Sequence, residues 1–369
     1  MDTDFGSLST AQKRVWSSEL WQAGRDMNFW FSNGFIGDST GSIIQRVTEL
    51  TETERGKICT MNLVGDMAGD GVAGDNILQG NEEALWNDTI EIRLDQLRNG
   101  VRSAGRMSEQ STVIRFRTVG KEKLSFWLAD KMDEMMFLAA AGIAFTLNLD
   151  GSTRSTASQL PTLTFASDVA APTSARKAYA GSATSTASLT TADKVTWNLL
   201  VGLQAVAKRK RIKPVRSGGR EHYVVMLSTE QCRDLKTDSN YQTIVSRAGQ
   251  RGDGNKLFQG AVAVVDGLII YDHQKVPNTL GLGSGSKWGG AGTVDGAQAL
   301  LMGAQAMGFA QIGNLMVEES EITDYKNRPG MSIGRILGVL KPQFQSVFDS
   351  RTRQDFGVIS LYTAAGATS

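Results

Sequence analysis

The sequence predicts an α+β fold with an extended arm and a projecting ribbon, and three observations carry that prediction. Two stretches, from Lys121 to Ala141 and from Thr190 through Val206, repeat apolar residues at helical spacing. Short apolar runs of strand length, punctuated by glycine, fill the second half of the chain from His222 to Thr363. Between two earlier strand candidates lies a long connection, Gly65 to Leu85, with no periodicity of its own.

In chain order, Ser9 to Gly24 reads as a helix, because Ser9 and Gln12 have capping-box spacing and Trp16, Leu20 and Ala23 share a face. Phe29 to Phe35 is aromatic and contains glycine, more arm than domain. Lys57 to Val64 has strand composition, and Thr89 to Leu94 alternates, with Ile90, Ile92 and Leu94 opposite Thr89, Glu91 and Arg93. Their connection is polar, glycine-rich and acidic, so the pair reads as a two-stranded ribbon with a projecting tip. After a polar bend at Gly105 to Gln110, Lys121 to Ala141 places Leu124, Trp127, Leu128, Met132, Met135 and Leu138 along a rod of about 30 Å. Asn148 to Thr191 is rich in Ser, Thr and Ala without a period, and reads as an extended surface segment.

Thr190 and Asp193 then open a second helix, with Val195, Leu199, Leu203 and Val206 inward. His222 to Leu227 is a strand, followed at once by a helix capped by Ser228 and Gln231. Ala261 to Val265 and Leu268 to Tyr271 flank Asp266-Gly267, a strong hairpin signal. Gly281 to Gly296 reads as a flexible loop, and Ala297 to Ile312 fits either a helix or a buried strand. Met331 to Phe344 and Phe356 to Thr363 are closing strands.

Composition excludes several function classes. With 369 residues the chain can bury a sizeable core in two lobes. Its 39 Lys+Arg against 38 Asp+Glu argue against a dedicated nucleic-acid binder, whose affinity comes from phosphate neutralisation. No apolar run approaches the ~20 residues of a membrane span. The opening residues are acidic and polar where a secretory leader is basic and then apolar. Cys59 and Cys232 lack a CxxC partner, which excludes a disulfide framework and a structural zinc site and fits cytoplasmic synthesis. The two histidines, His222 and His273, lie in apolar runs and read as packed strand residues.

No motif assembles a catalytic, cofactor or metal site. Gly37 to Gly41 matches G-x-S-x-G, but an aromatic arm precedes Ser39 and a strand-like run follows, where a nucleophile elbow needs strand and then helix. The glycines of Gly281 to Gly292 match no phosphate-binding pattern. Asp66, Asp70 and Asp75 are spaced too widely for a calcium loop. Lys208 to Arg211 resembles a nucleic-acid patch, yet it ends a predicted helix, where cations complement the macrodipole. The Trp and Met residues of the long helix have core spacing.

A chain with no site, a long ribbon and a polar arm is built to touch neighbours. Its sequence blocks include Gly80-Asn81-Glu82-Glu83-Ala84-Leu85, Asp95-Gln96-Leu97-Arg98 and Gly105-Arg106-Met107-Ser108-Glu109-Gln110. Others are Ala187-Ser188-Leu189-Thr190 with Asp193-Lys194, Tyr223 to Leu235, Leu257-Phe258-Gln259-Gly260, Asp266-Gly267 and Phe356-Gly357-Val358-Ile359. In these blocks, which cover most of the chain in order, it resembles the tailed-phage major capsid proteins of podovirus type. That resemblance implies the Hong Kong 97-like capsid fold, and subunits that form pentamers and hexamers in an icosahedral shell around the genome. It implies an N-terminal arm at 1–50, an extended loop with its flanks at 51–102, and a peripheral domain at 103–189. The spine helix would be 121–141, with a polar insertion at 148–189. An axial domain would span 190–312, and 313–369 would return to the peripheral domain.

The implied partners are other copies of the chain, a separate scaffolding protein, the portal, non-specifically packaged double-stranded DNA, and an outer decoration protein whose existence is left open. The implied intersubunit contacts pair the acidic tip residues Asp66, Asp70, Asp75, Glu82 and Glu83 with Arg93, Arg98, Arg102 and Arg106 of a neighbour. No lysine lies between Lys57 and Lys121, so the extended loop is expected to lock without a covalent crosslink. Two other readings stay open: an encapsulin-like nanocompartment shell, and a serine hydrolase using Ser39 with His222 or His273.

Overall fold

The computed structural model describes residues 27–47, 56–65, 67, 69–107, 116–217, 219–248, 263–320, 327–345 and 351–367. The expected helix at Ser9 to Gly24 and the second half of the bend at Gly105 to Gln110 lie outside these residues. Among the described residues two sheets and one long helix organise the chain. Helix α1 spans Phe29–Ser32, α2 Phe116–Ala141, α3 Trp197–Arg209, α4 Thr229–Thr237 and α5 Ser239–Ala248. The strands are β1 Ile36–Gly37, β2 Ile44–Val47, β3 Ile58–Val64, β4 Asn87–Arg93, β5 Asp95–Arg102, β6 Lys177–Tyr179, β7 Val215–Ser217 and β8 Arg220–Leu227. They continue with β9 Ala263–Val265, β10 Leu268–Asp272, β11 Gly296–Met302, β12 Met307–Ser320, β13 Gly330–Leu340, β14 Gln343–Gln345, β15 Arg353–Asp355 and β16 Val358–Ala364.

The first sheet has the order β1-β2-β12-β13-β5, which leaves β5 at an edge. The second runs β6-β16-β11-β8-β10-β9, with β7 added to the start of β8. Its central strands β11 and β16, and the second half of β8, are buried on both faces. Val224, Met226, Leu300, Met302 and Val358 join the cluster around α2, while Tyr223, Val225, Leu227, Leu301, Ile359 and Leu361 pack with α3 and α4. Strands covered on both faces read as continuous apolar runs. That is why Ala297 to Ile312 fitted helix or strand equally well; it forms β11 and the first part of β12. The hairpin at Asp266-Gly267 forms with φ of 49° and 78°, the left-handed pair that a tight two-residue turn needs. Gly281 to Gly296 is a series of turns held by backbone bonds, such as Trp288 with Val294 at 3.1 and 2.9 Å.

Helix α2 is longer than its periodic stretch, 26 residues and about 39 Å. Leu124, Leu128, Met132, Met135 and Leu138 are all buried against Phe309, Ile333 and Leu337 of the first sheet. A Cβ at Gly120 would come within 2.8 Å of Met331 Sδ, so the helix lies close on β13 there.

Three expectations are corrected. Phe29 to Phe35 is no free arm: Trp30 is fully buried against Phe137, at 4.7 Å between ring centroids, and Phe29 lies 4.3 Å from His273. Asp133 of α2 accepts the Phe29 N–H with both carboxylate oxygens at 3.1 Å. Burial pushes its carboxyl up to about 6, against the downward pull of the Phe29 N–H and Lys275. Aromatic density in a short glycine-flanked segment signalled a plug rather than a tether. Second, Asn148 to Thr191 is not simply a surface segment: Leu160, Leu163, Phe165, Ala180 and Leu189 are buried, and β6 joins the second sheet beside β16. Third, Thr190 and Asp193 close a turn through Thr190 N–H and Oγ1 to Asp193 Oδ2, both 2.8 Å. Helix α3 begins later, with Thr196 as its cap accepting from the Leu199 N–H. Sheet membership also crosses residue 312, since β12 continues through it and β16 joins β11 in the second sheet.

Candidate assembly interface

The ribbon forms as the alternation predicts. β3 and β4 pair antiparallel from Ile58 with Arg93 to Val64 with Asn87. Its base is seated by burial of Cys59 and Ile92 on Val47, Ala310 and Leu340 of the first sheet. The seat is tight, because a Cβ at Gly338 of β13 would collide with the carbonyl oxygen of Arg93. Charged bonds fasten the same base. Asp88, buried despite its acidic side chain, accepts from Arg353 at 2.8 Å and from the Gln345 N–H at 3.0 Å. Beneath them Lys341 and Asp355 form an ion pair at 3.3 Å, each side chain 1% exposed. Such a pair fixes geometry, and losing one partner would strand a buried charge. Between these groups is a cavity of about 350 Å3 whose lining includes Thr89, Glu91, Arg93, Asp168 and Arg353.

The tip leaves this base as Gly65 donates to the Trp86 carbonyl at 2.7 Å. Its turns use positive φ at Gly71, Gly74 and Gly80. Glu83 accepts from the Gly69 N–H and Glu82 from the Gly80 N–H, both at 2.7 Å, so these two carboxylates shape the tip itself. Asp70 and Asp75 are exposed, and Asp66 lies outside the described residues. The expectation of a polar tip needs correction, because Val64, Met67, Ile77, Leu78 and Leu85 are 57 to 73% exposed there. A chain that buries its apolar residues elsewhere leaves such a group bare where something else covers it. The Ile77-Leu78 pair inside a polar stretch was the sequence signal for it.

Of the four arginines paired with the tip by the sequence reading, Arg93 is already held by Asp168 of the same chain at 3.1 Å. Burial raises the Asp168 carboxyl above its ordinary value, and Arg93 opposes that shift. Arg98 and Arg102 are exposed on β5, the sheet edge, and Arg106 is exposed beyond it. None of these three makes an ion pair with a described acidic side chain. The Arg106 N–H donates to Asn327 Oδ1 at 3.3 Å. The structure therefore separates acidic tip and basic edge within one chain and offers both outward.

The remaining candidates do not form a catalytic arrangement. Ser39 Oγ is exposed and lies 3.1 Å from Ser42 Oγ, in a turn that leads into β2 and not into a helix. His273 lies just past β10, where its Nδ1 accepts from the Lys275 N–H at 3.1 Å and its ring stacks on Phe137 at 4.8 Å. Burial first, and Lys275 second, push its imidazole down to about 4. His222 stands on β8. Cys59 and Cys232 are both buried free thiols. Among the described residues no three of His, Cys, Asp and Glu converge on one point, and no helix is long and apolar enough to cross a membrane.

Comparison with known proteins gives consistent results. The family model described as phage capsid protein matches residues 4–367. The major capsid protein of Pseudomonas phage KPP25 is 43% identical over 372 aligned residues, covering 98% of each chain. Among solved structures, the capsid of Ralstonia phage GP4 superposes with a TM-score of 0.76 at 27% identity, covering 93% of each chain. The capsid of cyanophage Pam1 superposes at 0.72 with 20% identity over the full length of both chains.

Proposed function

The chain belongs to the phage capsid protein family and has its Hong Kong 97-like fold, and from that premise we propose how its surfaces build a shell. Copies join as pentamers and hexamers into an icosahedral head around the phage genome. A separate scaffolding protein and a portal take part, and the chain is synthesised in the host cytoplasm. The tip of the ribbon crosses to a neighbouring copy. There its apolar group, Val64, Met67, Ile77, Leu78 and Leu85, is covered. Its acidic residues Asp66, Asp70, Asp75, Glu82 and Glu83 face Arg98, Arg102 and Arg106. Arg93 drops out of that set because Asp168 satisfies it. The chain's role is structural, with no enzymatic step.

The observation that carries this reading is the bare apolar group on a projection fastened at its base. Fully covering one such side chain is worth roughly 1.5 to 3 kcal/mol. Exposed ion pairs add about 1 kcal/mol or less each and are screened by salt over ~8 Å. The apolar contacts therefore dominate the lock, and the charges set its register. Two arms test this: replacing Gly65 to Leu85 by a short turn, and Ile77→Ser with Leu78→Ser. Both should give subunits with unchanged circular dichroism and a large loss of closed particles by electron microscopy. Closed, stable shells from the shortened chain would refute the assignment. Arg98→Glu should weaken shells less than the double serine variant, and its effect should fade in high salt.

A further inference from the structure

Seven cations, Lys208, Arg209, Lys210, Arg211, Lys213, Arg216 and Arg220, fall within thirteen residues that contain no acid. A helix end accounts for few of them. Helix α3 stops at Arg209, so only Lys208 and Arg209 lie in its last turn, where they complement the macrodipole. Lys210 is the cap residue, and Arg211 turns the chain in the left-handed region at φ 55°. Ile212 is buried and anchors the turn, its carbonyl accepting the Tyr223 hydroxyl at 2.9 Å. Lys213, Arg216 and Arg220 follow on and around the β7–β8 hairpin. Lys208, Arg209, Arg211, Lys213, Arg216 and Arg220 are all exposed. Arg216 meets Glu221 at 3.2 Å, and Lys213 Nζ donates to the Thr40 carbonyl at 3.0 Å. The whole chain has a net charge of +1, so the rest of it is net negative and this excess is local.

We infer that the Lys208–Arg220 end of this lobe is a contact for the phosphate backbone of double-stranded DNA, independent of sequence. The inference rests on the proposed shell and gives its enclosed genome a docking surface. Like charges gathered at one place repel one another, and a polyanion that releases counterions on binding relieves that repulsion. Four of the seven are arginines, whose planar guanidinium pairs with phosphate in a bidentate manner. The segment has no aromatic residue and no helix aimed at a groove, so nothing in it reads bases. The acidic tip of another copy fits less well. That tip is as apolar as it is acidic, and none of the exposed large apolar side chains lies within 208–220.

The test uses unassembled full-length subunits, a fluorescent duplex of random sequence, and anisotropy titrations between 50 and 200 mM salt. Wild type should bind with a steep salt dependence, the logarithm of the binding constant falling with a slope of roughly −4 to −5. Changing Lys208, Arg209, Arg216 and Arg220 to Gln should lower the slope by about 3 and weaken binding at least ~30-fold at 100 mM salt. The hairpin pair Arg216→Gln with Arg220→Gln guards against a folding defect and should give about half that slope change. A control pair, Arg98→Gln with Arg102→Gln, should leave DNA binding unchanged. Absence of wild-type binding, or an unaltered slope in the quadruple variant, overturns the inference. So does a quadruple variant that keeps DNA binding and loses particle formation, since the patch is then a protein contact. Failure of wild type to form particles while DNA binding follows the expected pattern counts against the shell reading alone.

Discussion

Replacing Asp133 by Asn should stabilise the subunit at neutral pH, although it removes a buried charge that caps the Phe29–Ser32 helix. The carboxyl titrates at about 6 in the folded chain, against an ordinary value of 3.8. The folded state therefore holds its proton more tightly, and between those values stability falls as pH rises. By pH 7 the ionised carboxylate costs about 3 kcal/mol. Asn stands in for the neutral carboxyl and keeps an oxygen for the Phe29 N–H, and the charge-assisted part of that bond is already contained in the shift, so the net gain is up to about 3 kcal/mol. His273, at about 4 in the folded chain against 6.5, acts with the opposite sign: its contribution is lost as pH falls from 6.5 through 4. The two slopes oppose each other in the wild type. In Asp133→Asn the slope opposing His273 at this place is gone, so the variant's stability should climb more steeply than the wild type's between pH 4 and 6.5. Urea unfolding of unassembled subunits, followed by tryptophan fluorescence from pH 4 to 8, measures both curves. Parallel curves with the variant less stable throughout would refute the reasoning. They would mean that Lys275 and the Phe29 N–H hold Asp133 at an ordinary pKa.

Three further outcomes follow from packing. Gly338→Ala should cost at least ~2 kcal/mol and loosen the ribbon toward protease, because a Cβ there meets the Arg93 carbonyl. Leu128→Asp should abolish soluble folding, and Leu128→Ala should lose ~2 to 5 kcal/mol in urea, since the side chain is 1% exposed under the first sheet. Mature shells should run as single chains in denaturing gels without reductant, given two buried thiols and no lysine between Lys57 and Lys121; a ladder of oligomers would contradict this.

Local rules read the elements that obey them. The Ser228 and Gln231 capping box forms in both directions, with Gln231 N–H to Ser228 Oγ at 3.2 Å and Ser228 N–H to Gln231 Oε1 at 3.0 Å. The β3–β4 ribbon and the Asp266-Gly267 hairpin were legible for the same reason, since their spacing and turn residues are local. What escaped depends on distant partners. Phe29 to Phe35 is core only because residues near 137 and 273 receive it. The Thr190 and Asp193 pair has capping spacing but spends it on a turn. At the candidate interface the acidic tip and basic edge were visible as charge. The retirement of Arg93 by Asp168, 75 residues further along the chain, and the bareness of Ile77 and Leu78 required the folded chain.

The placement of β16 has a consequence for synthesis. This strand lies between β6 and β11, and all seven of its residues are buried. A ribosome adding ~5 to 20 residues per second has made β6, β8 and β11 well before residue 358 emerges. Until then β11 presents an open strand edge and Ile359 and Leu361 are missing from the second core. The partly made chain is therefore stickiest in the interval before β16 is added, and chaperone attendance matters most there.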